Sequence, residues 1–126
     1  MHRDMDLVRD ILVALDGASG SLDASDLSAE DRPRDLVAWH FRIMDEAGLI
    51  RASFLAAGNN PYYVARAERL TWEGCEFLET VRDPAAWRRV KQAAAQAGAG
   101  ALFAAIKAAA SELAASAAQR VAALLG

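Results

Sequence analysis

The stretch from residue 33 to residue 50 reads Pro-Arg-Asp-Leu-Val-Ala-Trp-His-Phe-Arg-Ile-Met-Asp-Glu-Ala-Gly-Leu-Ile, and it decides the fold of the chain. Its apolar residues recur at helical spacing, at Val37, Phe41, Met44 and Ala47. Pro33 suits the first turn of a helix, where its missing N–H costs nothing, and Gly48 supplies the left-handed residue that ends one. The stretch therefore predicts a helix over residues 33–47 that runs directly into a strand.

The residues after this helix predict a β-hairpin. Residues 49–56 and 62–70 have the composition of strands, and the turn residues Gly58-Asn59-Asn60-Pro61 separate them. A helix that closes on Glu-Ala-Gly-Leu-Ile and leads into a hairpin resembles the third helix and the wing of a winged helix-turn-helix. The predicted fold class is mainly α (α+β), a winged helix-turn-helix with a two-stranded wing, followed by C-terminal helices.

Helical patterns flank this centre on both sides. Before it, Asp4 is expected to cap a helix over residues 4–15, whose apolar stripe is Leu7, Val8, Ile11, Leu12 and Leu15. Leu22 and Leu27 are isolated apolar residues where a winged helix has a short strand and its second helix, and residues 28–32 favour only a turn or so of helix. After the hairpin, Thr71 is expected to cap a helix over residues 72–82, and Asp83-Pro84 to begin another over residues 85–96. In the first of these two helices, the side chains expected to face the protein core are those of Trp72, Cys75, Phe77 or Leu78, and Val81.

The alanine-rich end of the chain predicts a separate helical extension. Half of the residues from 93 onward are alanine, and apolar positions from Leu102 to Leu124 fall on one helical face. Such a stripe requires a partner, either within the chain or in a second copy. We therefore expect a winged-helix-like domain over residues 1–92, an extension over residues 93–126, and a homodimer through the C-terminal helices.

Composition restricts the class of protein. A chain of 126 residues with a single cysteine, Cys75, has the size of one ordinary domain and excludes a disulfide framework within the chain. A lone thiol suits a reducing compartment, so a cytoplasmic location is expected. No uncharged run reaches the length of a membrane-spanning helix, and no membrane association is expected.

Catalytic and metal-binding patterns are missing from the sequence. His40 has no Ser, Cys or carboxylate at a spacing that would build a triad, and capping, packing or contact with a DNA edge suits it better than general-base chemistry. Two histidines and one cysteine make a zinc site improbable, and no phosphate loop is present. We expect no enzyme activity, no cofactor and no metal.

The candidate binding residues lie on the central helix and on the hairpin. They are Arg34, Ala38, Trp39, His40 and Arg42 on the helix, and Arg51, Arg66 and Arg69 on the hairpin. Arginines at these places suit contacts to base edges and phosphates. The net charge of residues 1–32 is −5, from 3 basic and 8 acidic side chains, whereas residues 33–69 carry +1, from 5 and 4. For Trp39 three roles remain open, namely DNA contact, protein contact and packing in the core.

Three stretches carry a family resemblance. They are Arg-Asp-Met-Asp-Leu-Val-Arg-Asp-Ile-Leu at residues 3–12, the central stretch from Val37 to Ile50, and Arg-Leu-Thr-Trp-Glu-Gly-Cys-Glu-Phe-Leu at residues 69–78. With these the chain resembles a largely uncharacterised family of bacterial and phage proteins. The resemblance implies a winged-helix-like domain, often carried on prophages, and it supplies no functional residues.

Two functions follow as hypotheses from these residues together with the phage origin that the resemblance implies. The first is a DNA-binding transcriptional regulator of phage or mobile-element origin, with duplex DNA as its partner. The alternative is a phage-encoded module that binds a host protein and modulates a host complex, for example a defence system. The two differ in whether the arginines or Trp39 dominate binding.

Overall fold

The computed structural model describes residues 1–97 of the chain. These residues belong to two compact units, residues 1–75 and the described part of residues 76–126. The elements are, in chain order, α1 (Met5–Gly17), β1 (Leu22–Asp23), a 3-10 helix (Ala24–Leu27), α2 (Arg34–Glu46), β2 (Ile50–Ala57), β3 (Asn60–Leu70), α3 (Trp72–Val81) and α4 (Pro84–Ala97). The predicted α+β class is confirmed. The boundary predicted at residue 92 stays a prediction, and the C-terminal helix and its dimer stripe lie outside the described residues.

The first helix forms as its sequence predicts. The carboxylate of Asp4 accepts hydrogen bonds from the backbone N–H groups of Asp6 and Leu7, which would otherwise lack partners at the helix start. The apolar stripe is buried at all five predicted positions, Leu7, Val8, Ile11, Leu12 and Leu15. The helix ends at Gly17, two residues later than predicted. Its buried stripe supplies one side of the core of the first unit.

The central helix supplies the other side of this core. It begins at Arg34 with Pro33 in the N-cap position, and Val37, Phe41 and Met44 are buried. Gly48 has a φ of +81°, as predicted for the residue that ends this helix, and β2 begins two residues later. The helix and the hairpin are therefore joined by one tight, glycine-dependent connection.

The three strands form an antiparallel sheet in the order β1-β3-β2. The hairpin is tighter than predicted, because only Gly58 and Asn59 separate β2 from β3, and Gly58 has a φ of +58°. Pro61 lies inside β3, where the sequence predicted a turn residue. Pro61 has no partner in β2, because the register shifts between Leu55 and Ala57, and β1 pairs with β3 only at Ala67 and Arg66, so proline is tolerated there.

The second helix expected of a winged helix is a single turn here. The 3-10 helix Ala24–Leu27 is fixed by a capping box, in which Asp23 accepts from the N–H of Ser25 and Asp26 accepts from the N–H of Asp23. The side chains of Asp23 and Asp26 thus stabilise the helical turn between β1 and α2. The sequence predicts a turn or so of helix over residues 28–32, but the helical turn lies earlier, at Ala24–Leu27, where the capping box fixes it.

The start of α3 is anchored to the end of α2. The hydroxyl group of Thr71 donates to the carbonyl of Gly48 and accepts from the N–H of Gly74 at 3.0 Å, so Thr71 is the predicted cap. Gly74 packs so closely that a Cβ atom would overlap the carbonyl oxygen of Leu49. The backbone of α3 therefore lies directly on the connection that follows α2.

The buried side chains of α3 differ in part from the prediction. Phe77, Leu78 and Val81 are buried, whereas Trp72 is 76% exposed and Cys75 is exposed. The inward orientation predicted for Trp72 and Cys75 is wrong, because Gly74 takes the helical phase that continues at residues 77, 78 and 81. In α4, Asp83 accepts from the N–H of Ala85 at 3.3 Å, which confirms the predicted aspartate cap.

Candidate functional site

One side of the hairpin carries three exposed arginines. Along β2, Ile50 is buried and Phe54 is half-buried on the side of α2, so Arg51 and Ser53 project from the opposite side of the sheet. Their partners on β3 are Arg69 and Arg66, and cross-strand partners share a face. We call this surface the outer hairpin face; its residues are Arg51, Ser53, Arg66 and Arg69.

Arg51 and Arg69 are direct cross-strand partners. Both are exposed, and partners in an antiparallel pair have Cα atoms about 4.5–5.5 Å apart. Like charges in this arrangement destabilise a sheet. Within residues 1–97 no carboxylate forms a salt bridge with either guanidinium group, although Arg69 donates to the carbonyl of Leu70 at 3.2 Å. The pair therefore concentrates positive charge that an anion would relieve.

The acidic neighbours of Arg66 are engaged elsewhere. Glu68, the extra residue of a bulge in β3, accepts a hydrogen bond from the hydroxyl group of Ser53. Asp23, which pairs with Arg66 across β1 and β3, lies 3.6 Å from the guanidinium group of Arg34. Burial opposes ionisation of Asp23, but hydrogen bonds from Ser25 and the charge of Arg34 lower its pKa overall. Both carboxylates thus have structural partners, and Arg66 remains exposed.

Arg34 supports the fold and is not a freely presented cation. Its guanidinium group donates to the carbonyl of Tyr62 at 2.6 Å, to the carbonyl of Tyr63 at 3.4 Å and to the hydroxyl group of Ser25 at 3.0 Å. These carbonyls belong to the part of β3 that lies beyond its pairing with β1. The arginine predicted to contact DNA therefore ties the start of α2 to the hairpin and to the 3-10 helix.

Two predicted contact residues are inside the protein. Ala38 and His40 are both fully buried, so their assignment to a binding face is corrected. The imidazole Nε2 atom of His40 accepts from the N–H of Asp4 at 2.9 Å, and its Nδ1 atom lies 2.8 Å from the carbonyl oxygen of Leu36. Burial lowers the pKa of His40, and Arg32 and Arg3 act in the same direction against Leu36 and Asp4. Of the roles left open for His40, the structure shows packing and fixing of the start of α1.

The rest of α2 presents little positive charge. Asp35 and Glu46 are exposed, and Arg42 is the exposed cation of this helix. Asp45 is half-buried and accepts from the N–H of Ala52 at 3.1 Å. An exposed surface with two acids and one arginine is a poor complement to phosphate. The basic surface of the first unit is therefore on the hairpin and not on α2.

Arg42 and Trp39 have specific surroundings on α2. The guanidinium carbon of Arg42 lies 4.4 Å from the centre of the Phe54 ring and 5.7 Å from that of Tyr62. Trp39 is half-buried, and its ring meets the imidazole of His40 edge to face at 5.2 Å. Nothing in the spacing of the sequence pairs Arg42 with Phe54 and Tyr62. For Phe54, however, the alternation of side chains along β2 does indicate that its ring lies on the side of α2.

Other kinds of site find no support in the part of the chain that is described. Residues 1–97 contain no group of three or more His, Cys, Asp or Glu side chains placed to hold a metal ion. Asp10, one of the acids on α1, forms a salt bridge with Arg32 at 2.7 Å. No helix within residues 1–97 has the length and apolar character needed to cross a membrane.

Comparisons with known proteins give the family but no activity. A family of hypothetical proteins, DUF2513, has a sequence model that matches residues 2–100. An uncharacterised protein of Haemophilus influenzae is 35% identical over 94 residues, which cover 72% of this chain and 76% of that protein. No solved structure matches the chain. Function must therefore be argued from the surface itself.

Proposed function

Since the chain belongs to the DUF2513 family of hypothetical proteins, we propose its function from surface chemistry: it binds duplex DNA through the outer hairpin face. The observation that carries the proposal is the exposed cross-strand pair Arg51 and Arg69, which no carboxylate of residues 1–97 neutralises. Arg66, which pairs with Ser53, extends the positive surface two cross-strand pairs further along the hairpin. DNA phosphates are the anions that such closely spaced arginines suit.

The order of elements supports a winged-helix-like protein. A helix, a short strand, a helical turn, a second helix and a hairpin follow one another, and the strand order is β1-β3-β2. In this proposal the hairpin is the wing, and it makes the main contact with DNA. Regulation of transcription completes the proposal, and an origin on a phage or mobile element is what the family resemblance implies.

Electrostatics favours the outer hairpin face over α2 as the DNA surface. The outer face combines three exposed arginines with two nearby carboxylates, Glu68 and Asp23, which are engaged with Ser53 and Arg34 respectively. By contrast, α2 exposes Asp35 and Glu46, which would repel phosphate, and buries Ala38 and His40. Affinity for DNA is thus expected to come from backbone contacts, which depend on salt and carry little sequence information.

Fluorescence anisotropy with a labelled duplex of mixed sequence tests this proposal. The double variant Arg51→Ala/Arg69→Ala should bind at least about tenfold more weakly at low salt, because two phosphate contacts are lost. The matched control Arg88→Ala/Arg89→Ala removes the same charge from exposed positions on α4 and should bind like the wild type. Equal weakening by both variants, or no binding by the wild type, would overturn the proposal.

A further inference from the structure

The side of the sheet opposite the outer hairpin face holds an arginine with an unusual setting. The guanidinium carbon of Arg42 lies 4.4 Å from the centre of the Phe54 ring and 5.7 Å from that of Tyr62, and the two ring centres are 6.1 Å apart with planes inclined by 60°. A guanidinium group this close to an aromatic ring is attracted to the ring face, which restrains it without using its N–H donors. Within residues 1–97, Arg42 donates no hydrogen bond and forms no salt bridge, not even with Glu46 one turn later. A restrained arginine with unused N–H donors can donate two parallel hydrogen bonds to a ligand that has two acceptor atoms.

Apolar side chains surround this arginine on α2. Leu36, Trp39 and Ile43 follow one another at steps of three and four residues, so they form one stripe, and each is half-buried. Trp39 lies three residues before Arg42 and is therefore its neighbour on the helix surface. We call this surface the α2 face; its residues are Leu36, Trp39, Arg42 and Ile43. Tryptophan and arginine together are the residues most enriched at the energetic centres of protein interfaces.

We propose that the α2 face binds a partner protein through a segment in which an Asp or Glu carboxylate adjoins apolar side chains. The carboxylate would accept two parallel hydrogen bonds from Arg42, and the apolar side chains would cover Trp39 and Ile43. A single carboxylate can reach Arg42 between the exposed Asp35 and Glu46, whereas the phosphate backbone of a nucleic acid would extend over these two acids and be repelled by them. The face lies on the other side of the sheet from the proposed DNA surface, so both partners can bind at once and the inference does not depend on DNA binding.

Selection from a library of short random peptides displayed on phage, with the full chain as the target, tests this inference. Enriched peptides are expected to carry an Asp or Glu next to an aromatic or aliphatic residue. Their affinity should fall about tenfold or more for Arg42→Ala and for Trp39→Ala, as for truncation of interface anchors. The inference would be overturned if no peptides were enriched or if basic peptides were enriched. It would also be overturned if neither substitution changed the affinity of the enriched peptides.

Two further variants separate recognition from damage to the fold. Arg42→Lys keeps the positive charge but loses the planar pair of donors, so it should recover little of the peptide affinity. Arg51→Ala/Arg69→Ala changes the outer hairpin face alone and should leave peptide binding unchanged. Full recovery by Arg42→Lys would contradict the paired hydrogen bonds. Loss of peptide binding in the hairpin variant would contradict the separation of the two surfaces, whatever the outcome with DNA.

Discussion

The imidazole of His40 accepts a hydrogen bond from the backbone N–H of Asp4, and this contact joins α2 to the start of α1 across 36 residues of sequence. The same ring is bonded through Nδ1 to the carbonyl of Leu36. An acceptor at Nε2 and a donor at Nδ1 require the neutral imidazole. A protonated ring would have no lone pair for the N–H of Asp4, so the contact depends on pH.

Stability should therefore fall on mild acidification. Burial lowers the pKa of His40 in the folded chain, whereas an unfolded histidine titrates near about 6.5. Below about pH 6.5 the unfolded chain binds the additional proton first, so the free energy of unfolding decreases, by at most about 1.4 kcal/mol per pH unit, until the folded pKa is reached. Urea unfolding of the wild type and of His40→Gln between neutral and acid pH measures this effect. Equal slopes against pH in the two proteins would contradict the role given to His40.

Gly74 should not tolerate a side chain, although it lies inside a helix. Replacing helical glycine by alanine ordinarily stabilises by up to about 1 kcal/mol. Here the added Cβ would overlap the carbonyl oxygen of Leu49, so Gly74→Ala should lower the free energy of unfolding by about 1–3 kcal/mol. Gly17→Ala is the matched control, because a Cβ at Gly17 meets no atom within 4 Å. A gain in stability from Gly74→Ala would show that α3 does not pack on Leu49 as described.

Arg34 should matter for folding more than for binding. Arg34→Ala removes hydrogen bonds to the carbonyls of Tyr62 and Tyr63, and should cost about 1–3 kcal/mol in the free energy of unfolding. Arg34→Lys should restore only part of this, because a lysine cannot reproduce the fork of donors. Chemical denaturation provides the measurement. Unchanged stability with weakened DNA binding would instead support the original prediction for Arg34.

Much of the fold could be predicted because its signals are local. The cap at Asp4, the glycine at residue 48 and the cap at Thr71 each act within a few residues, and each is where the sequence places it. The phase of α3 was missed because it depends on the approach of Gly74 to Leu49, which lies 25 positions away in the sequence. A glycine gives no hydrophobic signal. The pattern of apolar residues therefore places Trp72 and Cys75 on the buried face of α3, where the structure has Gly74.

The candidate site was predictable only in part, for a related reason. Strand alternation separates the two faces of the hairpin. The three arginines on its outer face, Arg51, Arg66 and Arg69, are exposed. The hydrogen bonding of Arg34 depends on carbonyl groups of β3 that become its neighbours only in the folded chain. Likewise, the sequence leaves His40 open between capping, packing and contact with a DNA edge, and its partner at Asp4 cannot be read from spacing.

The salt dependence of DNA affinity tests the central claim most directly. We expect the wild type to bind mixed-sequence duplex DNA with a negative slope of log affinity against log salt concentration, to which each phosphate contact adds about 0.9. The triple variant Arg51→Ala/Arg66→Ala/Arg69→Ala should reduce this slope by about 3, while Arg42→Ala leaves it unchanged. A wild-type slope that the triple variant retains, or no measurable affinity at low salt, would contradict DNA binding by the outer hairpin face.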